Sequence, residues 1–352
     1  MNIRSLFLLL LVFPLMASGQ YHISGRVTDI LTHQPVANAN VFLSSATAAA
    51  KTNEDGIFTI TNVHGGHYDL VASFVGYVTY HQEVNVNADI NKLELQLEAK
   101  ITTLSEVKIG PDKDWDKNYQ YFKRQFLGAS DDAGDVKILN PQILSFHNDK
   151  KTREFTAGAY GFLEMENKAL GYKIHYLLNN MTAVTRSYNE VSLYYEGAPS
   201  FEELPGKPSE VKRWKRKRLE AYQGSEMHFL RSVIANRVKE EGFMVRRLIR
   251  RNNPDYPDRT SQKYLDTLVD TALRVKDYFR FTDQKGEYAL TFNNCLYITY
   301  HGQLSIITFA ETYVYFDSNG VVINPRAAII SETWADSRMA ATLPVDYEPS
   351  PL

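Results

Sequence analysis

The sequence contains a single cysteine, Cys295, and beyond residue 19 it has no apolar run of membrane-spanning length. One thiol excludes an intramolecular disulfide and any zinc cage built from several cysteines. Cys295 lies in an expected strand, where it reads as a small buried hydrophobe. A membrane helix needs about 20 apolar residues. The longest later stretch, Leu304 to Phe316, is broken by Glu311 and alternates like a strand. Charge of one sign is also scarce. With 39 basic against 41 acidic residues the net charge is −2, too small to recruit nucleic acid or an anionic membrane by bulk attraction. None of the nine histidines is followed three residues later by glutamate, and the Gly-x-Ser-x-Gly elbow of serine hydrolases is missing. What is present is ordinary: 44% hydrophobic and 23% charged residues over 352 positions, enough for two or three packed domains.

The N-terminus reads as an export leader. Met1–Ser5 carries Arg4, Leu6–Ala17 is apolar but too short to span a bilayer, and Ala17-Ser18-Gly19 supplies small residues for cleavage before Gln20. An uncleaved anchor helix is the competing reading, and the length and small-residue site argue against it. No cysteine follows the apolar run to take a lipoprotein-type lipid. The expectation is a signal peptide over 1–19 and an exported chain with no transmembrane segment after cleavage, in the periplasm or associated with the outer membrane.

Residues 20–109 read as consecutive short strands. Leu93, Leu95 and Leu97 alternate with Glu94, Gln96 and Glu98, and Tyr68, Leu70, Ala72 and Phe74 keep the same period of two. Asn53-Glu54-Asp55-Gly56 is expected to join two antiparallel strands, and Gly65-Gly66 and Gly76 punctuate the next turns. Several strands without a helix between them predict a β-sandwich.

The order Gly25-Arg26-Val27-Thr28-Asp29, Pro35-Val36, Ala39-Asn40-Val41, Asp55-Gly56-Ile57-Phe58, Gly66-His67-Tyr68 and Val75-Gly76-Tyr77 resembles the carboxypeptidase-regulatory-like domain, a transthyretin-like sandwich. The resemblance implies a packing or binding module without catalytic residues of its own. That module accompanies zinc carboxypeptidases, whose His-x-x-Glu ligand pair is missing here. It also precedes the plug of outer-membrane receptors, whose barrel of 22 strands at ~10 residues each does not fit the remaining chain.

Gly110–Asp114 looks like a linker, assigned to 110–118 with the next few residues. Residues 119–343 are expected to form an α+β domain, β-rich with a helical insertion, and 344–352, with Pro344, Pro349 and Pro351, an extended tail. Trp115, Tyr119, Phe122 and Phe126 share one helical face. Tyr172, Ile174, Tyr176 and Leu178 alternate with Lys173 and His175, and Val191, Leu193 and Tyr195 continue the pattern. Helices are expected around Ser209–Tyr222 and Glu226–Glu240, with strands returning at Tyr288–Tyr300 and Leu304–Phe316. Leu170-Gly171-Tyr172-Lys173-Ile174, the segment from Trp214 through Tyr222 to Arg231, and Leu343-Pro344-Val345-Asp346-Tyr347 resemble an uncharacterised family of exported Gram-negative envelope proteins. That resemblance implies an envelope location and no particular activity.

The densest constellation runs from Trp214 to Arg231. At helical spacing Val211, Trp214, Arg218 and Tyr222 share a face, which would hold the Arg218 guanidinium between two aromatic rings for a carboxylate, phosphate or sulfate. The plainer reading packs the aromatic stripe on a sheet and leaves Arg218 to meet a buried carboxylate. Lys212-Arg213-Trp214-Lys215-Arg216-Lys217-Arg218 is strongly basic. Export disfavours nucleic acid, so a solvated helix face or a site for anionic glycan remains.

Ser225 and His228 offer a nucleophile–base pair at a helix start. The simpler account has Ser225 cap the helix through the backbone N–H of His228, with Met227, Leu230, Val233, Ile234 and Val238 buried and His228 off that stripe. Ser105–Lys108 and Ser209–Lys212 match Ser-x-x-Lys without the companion motifs of penicillin-recognising enzymes, and His64 with His67 supplies only two metal ligands in a turn. No metal or cofactor is expected. The leading expectation is a non-catalytic exported envelope protein that binds a protein or an anionic glycan through Trp214, Arg218, Tyr222, Arg231, Lys215 and Arg216. The alternative is a peptide or glycan hydrolase centred on Ser225, His228 and Arg218.

Overall fold

The computed structural model describes residues 20–100, 113–187, 190–256 and 263–349. The expected leader over 1–19, Ser105 with Lys108, residues 110–112 of the expected linker and residues 350–352 of the expected tail lie outside the described residues.

The N-terminal strands are β1 (Tyr21–Asp29), β2 (Asn40–Leu43), β3 (Ala49–Lys51), β4 (Ile57–Val63), β5 (Gly66–Ser73), β6 (Tyr80–Val86) and β7 (Ile90–Leu97). They form a β-sandwich of one sheet ordered β4-β1-β7 and another ordered β3-β2-β5-β6. Period-2 alternation supplies its filling. Ile23, Val27, Phe58, Ile60, Leu95 and Leu97 from the first sheet meet Val41, Leu43, Tyr68, Leu70 and Val84 from the second, all buried. Asn53 Oδ1 accepts the N–H groups of Asp55 and Ile57 at 3.0 and 2.8 Å and so closes the Asn53–Gly56 turn. That turn leads from β3 to β4, which belong to opposite sheets, so it crosses the sandwich instead of closing the expected hairpin.

The rest of the chain is β-rich, with few helices. α1 (Trp115–Leu127) starts within the segment assigned to the linker, and its stripe of Phe122 and Phe126 is fully buried. β8 (Val136–Ile138), β9 (Leu144–Asp149), β10 (Glu154–Ala159), β11 (Phe162–Asn167), β12 (Tyr172–Ser187) and β13 (Glu190–Glu203) form a six-stranded sheet. One face carries Leu163, Met165, Ile174, Tyr176 and Phe201 and packs under α1.

Two helices follow. α2 (Pro208–Tyr222) begins with proline at its first turn, and the Glu210 carboxylate accepts the Lys207 N–H at 2.8 Å. α3 (Glu226–Ile234) is shorter than expected, because Asn236 turns to φ 53° and ends it.

The last sheets come from β14 (Phe243–Asn252), β15 (Tyr264–Ala272), α4 (Val275–Tyr278), β16 (Phe279–Phe281), β17 (Glu287–Leu290), β18 (Cys295–Tyr300), β19 (Gln303–Phe309), β20 (Val314–Asp317), β21 (Ala328–Glu332) and α5 (Thr333–Asp336). Five strands pair in the order β15-β14-β18-β19-β21, and β16-β17-β20 form a small sheet beside them. Each of the two continuous strands expected at 288–300 and 304–316 is split into two, and the halves lie in different sheets.

The sandwich is anchored to this second region. Phe42 and Val71 meet Phe162, Leu177 and Ala198 of the six-stranded sheet. The turn after β2 docks by backbone, with Ser45 N–H donating to Pro199 O at 2.6 Å and Phe201 N–H to Ala46 O at 3.0 Å. The C-terminal segment completes the joint and is no free tail. Val345 is buried in the sandwich core, its N–H reaches Ser45 O at 2.7 Å, and the Asp346 carboxylate accepts the Thr47 hydroxyl at 2.6 Å.

Candidate functional site

α2 places its aromatic–arginine stripe against the turn between β11 and β12, so these side chains act within the fold. Trp214 Nε1–H donates to Lys168 O at 3.0 Å. Gly171 has φ +72°, and a Cβ there would lie 2.2 Å from Trp214 Cδ2, so only glycine lets the turn meet the indole. Arg218 is 8% exposed. It donates from Nε to Leu170 O at 2.7 Å and from Nη2 to Gly171 O at 3.1 Å, and pairs through Nη1 with Glu203. Its guanidinium lies over the ring of Tyr172, 3.9 Å from the centroid. The expected sandwich of Arg218 between Trp214 and Tyr222 is therefore replaced by a clamp on backbone carbonyls and a third aromatic residue. Sequence spacing along one helix carried no information about Tyr172, which comes from another element.

Tyr222 turns instead to the start of α3, with its ring 4.8 Å from that of His228 and 5.7 Å from that of Tyr347. Arg231 closes the C-terminal segment. Its Nε, Nη1 and Nη2 donate to Asn319 O, Tyr347 O and Val345 O, each at 2.8 Å. Lys215 and Arg216 do face solvent, with Lys212 and Arg213, although Arg216 is 3.6 Å from Glu220. This face is basic and accessible.

Ser225 caps α3, accepting the His228 N–H on Oγ at 3.1 Å. The His228 ring is buried, contrary to its expected place off the apolar stripe. Nδ1 accepts the Gly224 N–H at 3.1 Å and Nε2 lies 3.5 Å from Glu241 Oε2. Both ring nitrogens are thus engaged, and neither is engaged by Ser225. Burial holds the imidazole below its ordinary pKa and favours the neutral ring.

A cleft of about 740 Å³ opens where the sandwich meets the six-stranded sheet. β2 and β3 supply Asn40, Phe42 and Lys51; the facing sheet supplies Phe162, Glu164, Lys173, His175, Ser200 and Glu202. Register brings the polar groups together, because Glu164 pairs with His175, and His175 in turn with Ser200. His175 Nδ1 lies 2.8 Å from Glu164 Oε1 and Nε2 lies 3.5 Å from Glu202 Oε2. Lys173 Nζ is 3.4 Å from the buried Glu164 Oε2, within ion-pair distance. The hydrogen bond to Glu164 raises the His175 pKa against the opposing effect of burial. Burial pushes the Glu164 carboxyl up, but His175 and Lys173 outweigh it and the net shift is downward.

A second hollow of about 260 Å³ adjoins the cleft. It is lined by Tyr172, Lys215, Arg218, Asp346 and Glu348, and shares Thr47 and Glu203 with the cleft. The two form one groove along the joint. Its Glu164–His175–Glu202 ladder was missed from sequence, although acidic residues on β11 and basic ones on β12 flanking a short turn were a legible signal.

No curated protein matches this chain. Among solved structures it is similar to a type II cohesin–X-dockerin complex from Acetivibrio cellulolyticus, at 23% identity over 22% of this chain and 58% of that one, TM-score 0.21. A DUF3823 family protein from Bacteroides ovatus is 10% identical over 53% of this chain and 83% of its own, TM-score 0.20. A 3-chlorocatechol 1,2-dioxygenase from Rhodococcus opacus is 13% identical over 24% and 61%, TM-score 0.20. Scores this low carry no argument about activity. The match that bears on the sandwich is of another kind: residues 23–109 fit the family described as the CarboxypepD_reg-like domain, and the chain carries that domain there.

Proposed function

We propose that this chain is a non-catalytic exported envelope protein that holds an anionic glycan in the groove between its sandwich and its six-stranded sheet. The observation that carries the reading is the continuity of that groove from Lys51 and His175, past Thr47 and Glu203, to Lys215. An elongated polyhydroxylated ligand needs donors and acceptors along its path, some apolar floor and a charge match at its ends. The ladder of Lys173, His175, Glu164 and Glu202 offers both donors and acceptors, Phe162 contributes apolar surface, and the exposed Lys215 of α2 extends the path with positive charge. The hydrolase alternative draws no support from Ser225, His228 and Arg218, which are taken up by a helix cap, a buried ring and a carbonyl clamp.

A protein partner is the second reading. It is favoured by Ile30, Leu31, Val75 and Val78, apolar residues 41%, 79%, 93% and 48% exposed in two loops flanking the end of β7.

Calorimetric titration with oligogalacturonate and with a sulfated oligosaccharide, against a neutral cello-oligosaccharide, tests the first reading. Saturable binding of an acidic glycan, weakened at least about tenfold by Lys215→Glu/Arg216→Glu and by 0.5 M salt, is the expected result. Failure of both acidic probes to bind overturns it. An envelope protein captured by the wild type and lost on Val75→Asp/Leu31→Asp would move the function to the loop patch.

A further inference from the structure

A separate cavity of about 170 Å³ lies between the end of α2, the start of α3 and the chain from Trp334 to Leu343, and shares no lining residue with the groove. Its walls are Ala221, Met227, Trp334, Ala341 and Leu343, and its polar groups are Ser225, Glu226, Ser337 and Thr342. Two of the three hydroxyls have spent their protons. Ser337 Oγ–H donates to Thr333 O at 3.2 Å and Thr342 Oγ1–H to Arg338 O at 3.1 Å, which leaves only lone pairs for an occupant. The Glu226 carboxylate is likewise an acceptor. Among the described residues none donates to it, and burial alone pushes it up to about 7. Tyr195 of β13 feels the charges of both Glu226 and Arg338. The Arg338 guanidinium is engaged by the Ala335 and Gln125 carbonyls and the Gln125 side chain. An apolar cavity rimmed by acceptors and a part-buried carboxyl that no described side chain donates to is short of a cationic donor.

We propose that this cavity is a binding site for a primary ammonium group on a short aliphatic chain, the nitrogen pairing with Glu226 and the methylenes lying against Trp334, Met227 and Leu343. At roughly 30 Å³ per water-sized unit the cavity holds about five or six non-hydrogen atoms, the size of a butylammonium ion or the end of a lysine side chain. Binding requires the ionised carboxylate, so the ligand displaces a proton wherever the free carboxyl is protonated.

The test is an NMR titration of the full chain with n-butylamine, repeated with Nα-acetyl-lysine methylamide, at pH 6 and pH 8. Saturable binding is expected, about tenfold tighter at pH 8 than at pH 6, because a carboxyl titrating near 7 is about one-tenth ionised at the lower pH. Glu226→Gln removes a charge without removing a hydrogen bond, so it should fold as the wild type does and lose the binding. Binding of butylamine alone marks a site for a free amine; binding of both probes marks one that also admits a lysine side chain. No saturation by either probe at pH 8, or equal binding by the glutamine variant, overturns the proposal. The groove and its glycan ligand are unaffected by either outcome.

Discussion

Removing the Arg218 guanidinium should damage the fold far more than any surface arginine would. Arg218→Ala deletes two charge-assisted hydrogen bonds to backbone carbonyls, each worth about 1.5–3 kcal/mol, and a cation–π contact worth about 1–2 kcal/mol. The pair with Glu203 adds little, because that carboxylate is 65% exposed and well screened. Partial rehydration of the Leu170 and Gly171 carbonyls returns some of the loss, so about 3–5 kcal/mol is expected. At about 2–4 °C per kcal/mol, the melting temperature should fall by roughly 10 °C. Arg218→Lys keeps the charge but not the fork that spans two carbonyls, and should lose about half as much. The assay is thermal melting followed by tryptophan fluorescence, with Trp214 beside the affected turn. A loss below about 1 kcal/mol in the alanine variant would refute the clamp and return Arg218 to the pool of residues free to meet a ligand.

Gly171→Ala places a Cβ 2.2 Å from the Trp214 ring in a left-handed backbone, and should destabilise by at least about 3 kcal/mol or give insoluble protein; wild-type melting would contradict the packing of that turn. Ser225→Ala should lower stability by about 1 kcal/mol through loss of the α3 cap, as urea unfolding would show, and an unchanged midpoint would contradict the cap. The buried His228 and the part-buried His175 should respond to pH in opposite senses. His175 has a raised folded pKa, so its contribution is full below the unfolded value of 6.5 and lost as pH rises through the folded value. Glu164, lowered in the fold, contributes above 4.5 and loses that as pH falls, so their pairing is strongest between about 4.5 and 6.5. His228 has a lowered folded pKa, so its contribution is present above 6.5 and lost as pH falls through the folded value. Melting curves should therefore show His175→Gln most destabilising near pH 5.5 and His228→Gln most destabilising near pH 8.5; parallel pH slopes for the two variants would contradict these assignments.

Much of the architecture was legible because it depends on local periodicity. The period of two in Tyr68–Phe74 and Leu93–Leu97 marks half-buried strands, and both segments are strands whose inward residues fill the sandwich. The aromatic face of Trp115–Phe126 marks α1 by the same logic. The hairpin of β14 and β15 was missed because β14 changes sides. Phe243 and Val245 fill one core while Leu248 joins Cys295 and Ile306 on the opposite face, so no single alternation runs through the strand and its four arginines dominate the reading. At 288–300 and 304–316 the alternation was real, but nothing local specifies which sheet receives each half.

The candidate sites divide along the same line. A helix cap is decided within four residues, so Ser225 and the His228 N–H could be paired from sequence spacing. The partners of Arg218, Arg231 and Thr47 come from residues 47, 88 to 116 and 299 positions away, and no periodicity along one element names them. The groove exists only because the turn after β2 docks on β13 and the last described residues wedge against it. The sequence by itself determined the strands of the sandwich, the helix stripes and the basic face of α2, since burial periodicity and charge are local properties. The tertiary structure decided which arginines are spent on backbone carbonyls, which carboxyl is left without a donor and where the two halves enclose space, because these depend on distant segments meeting.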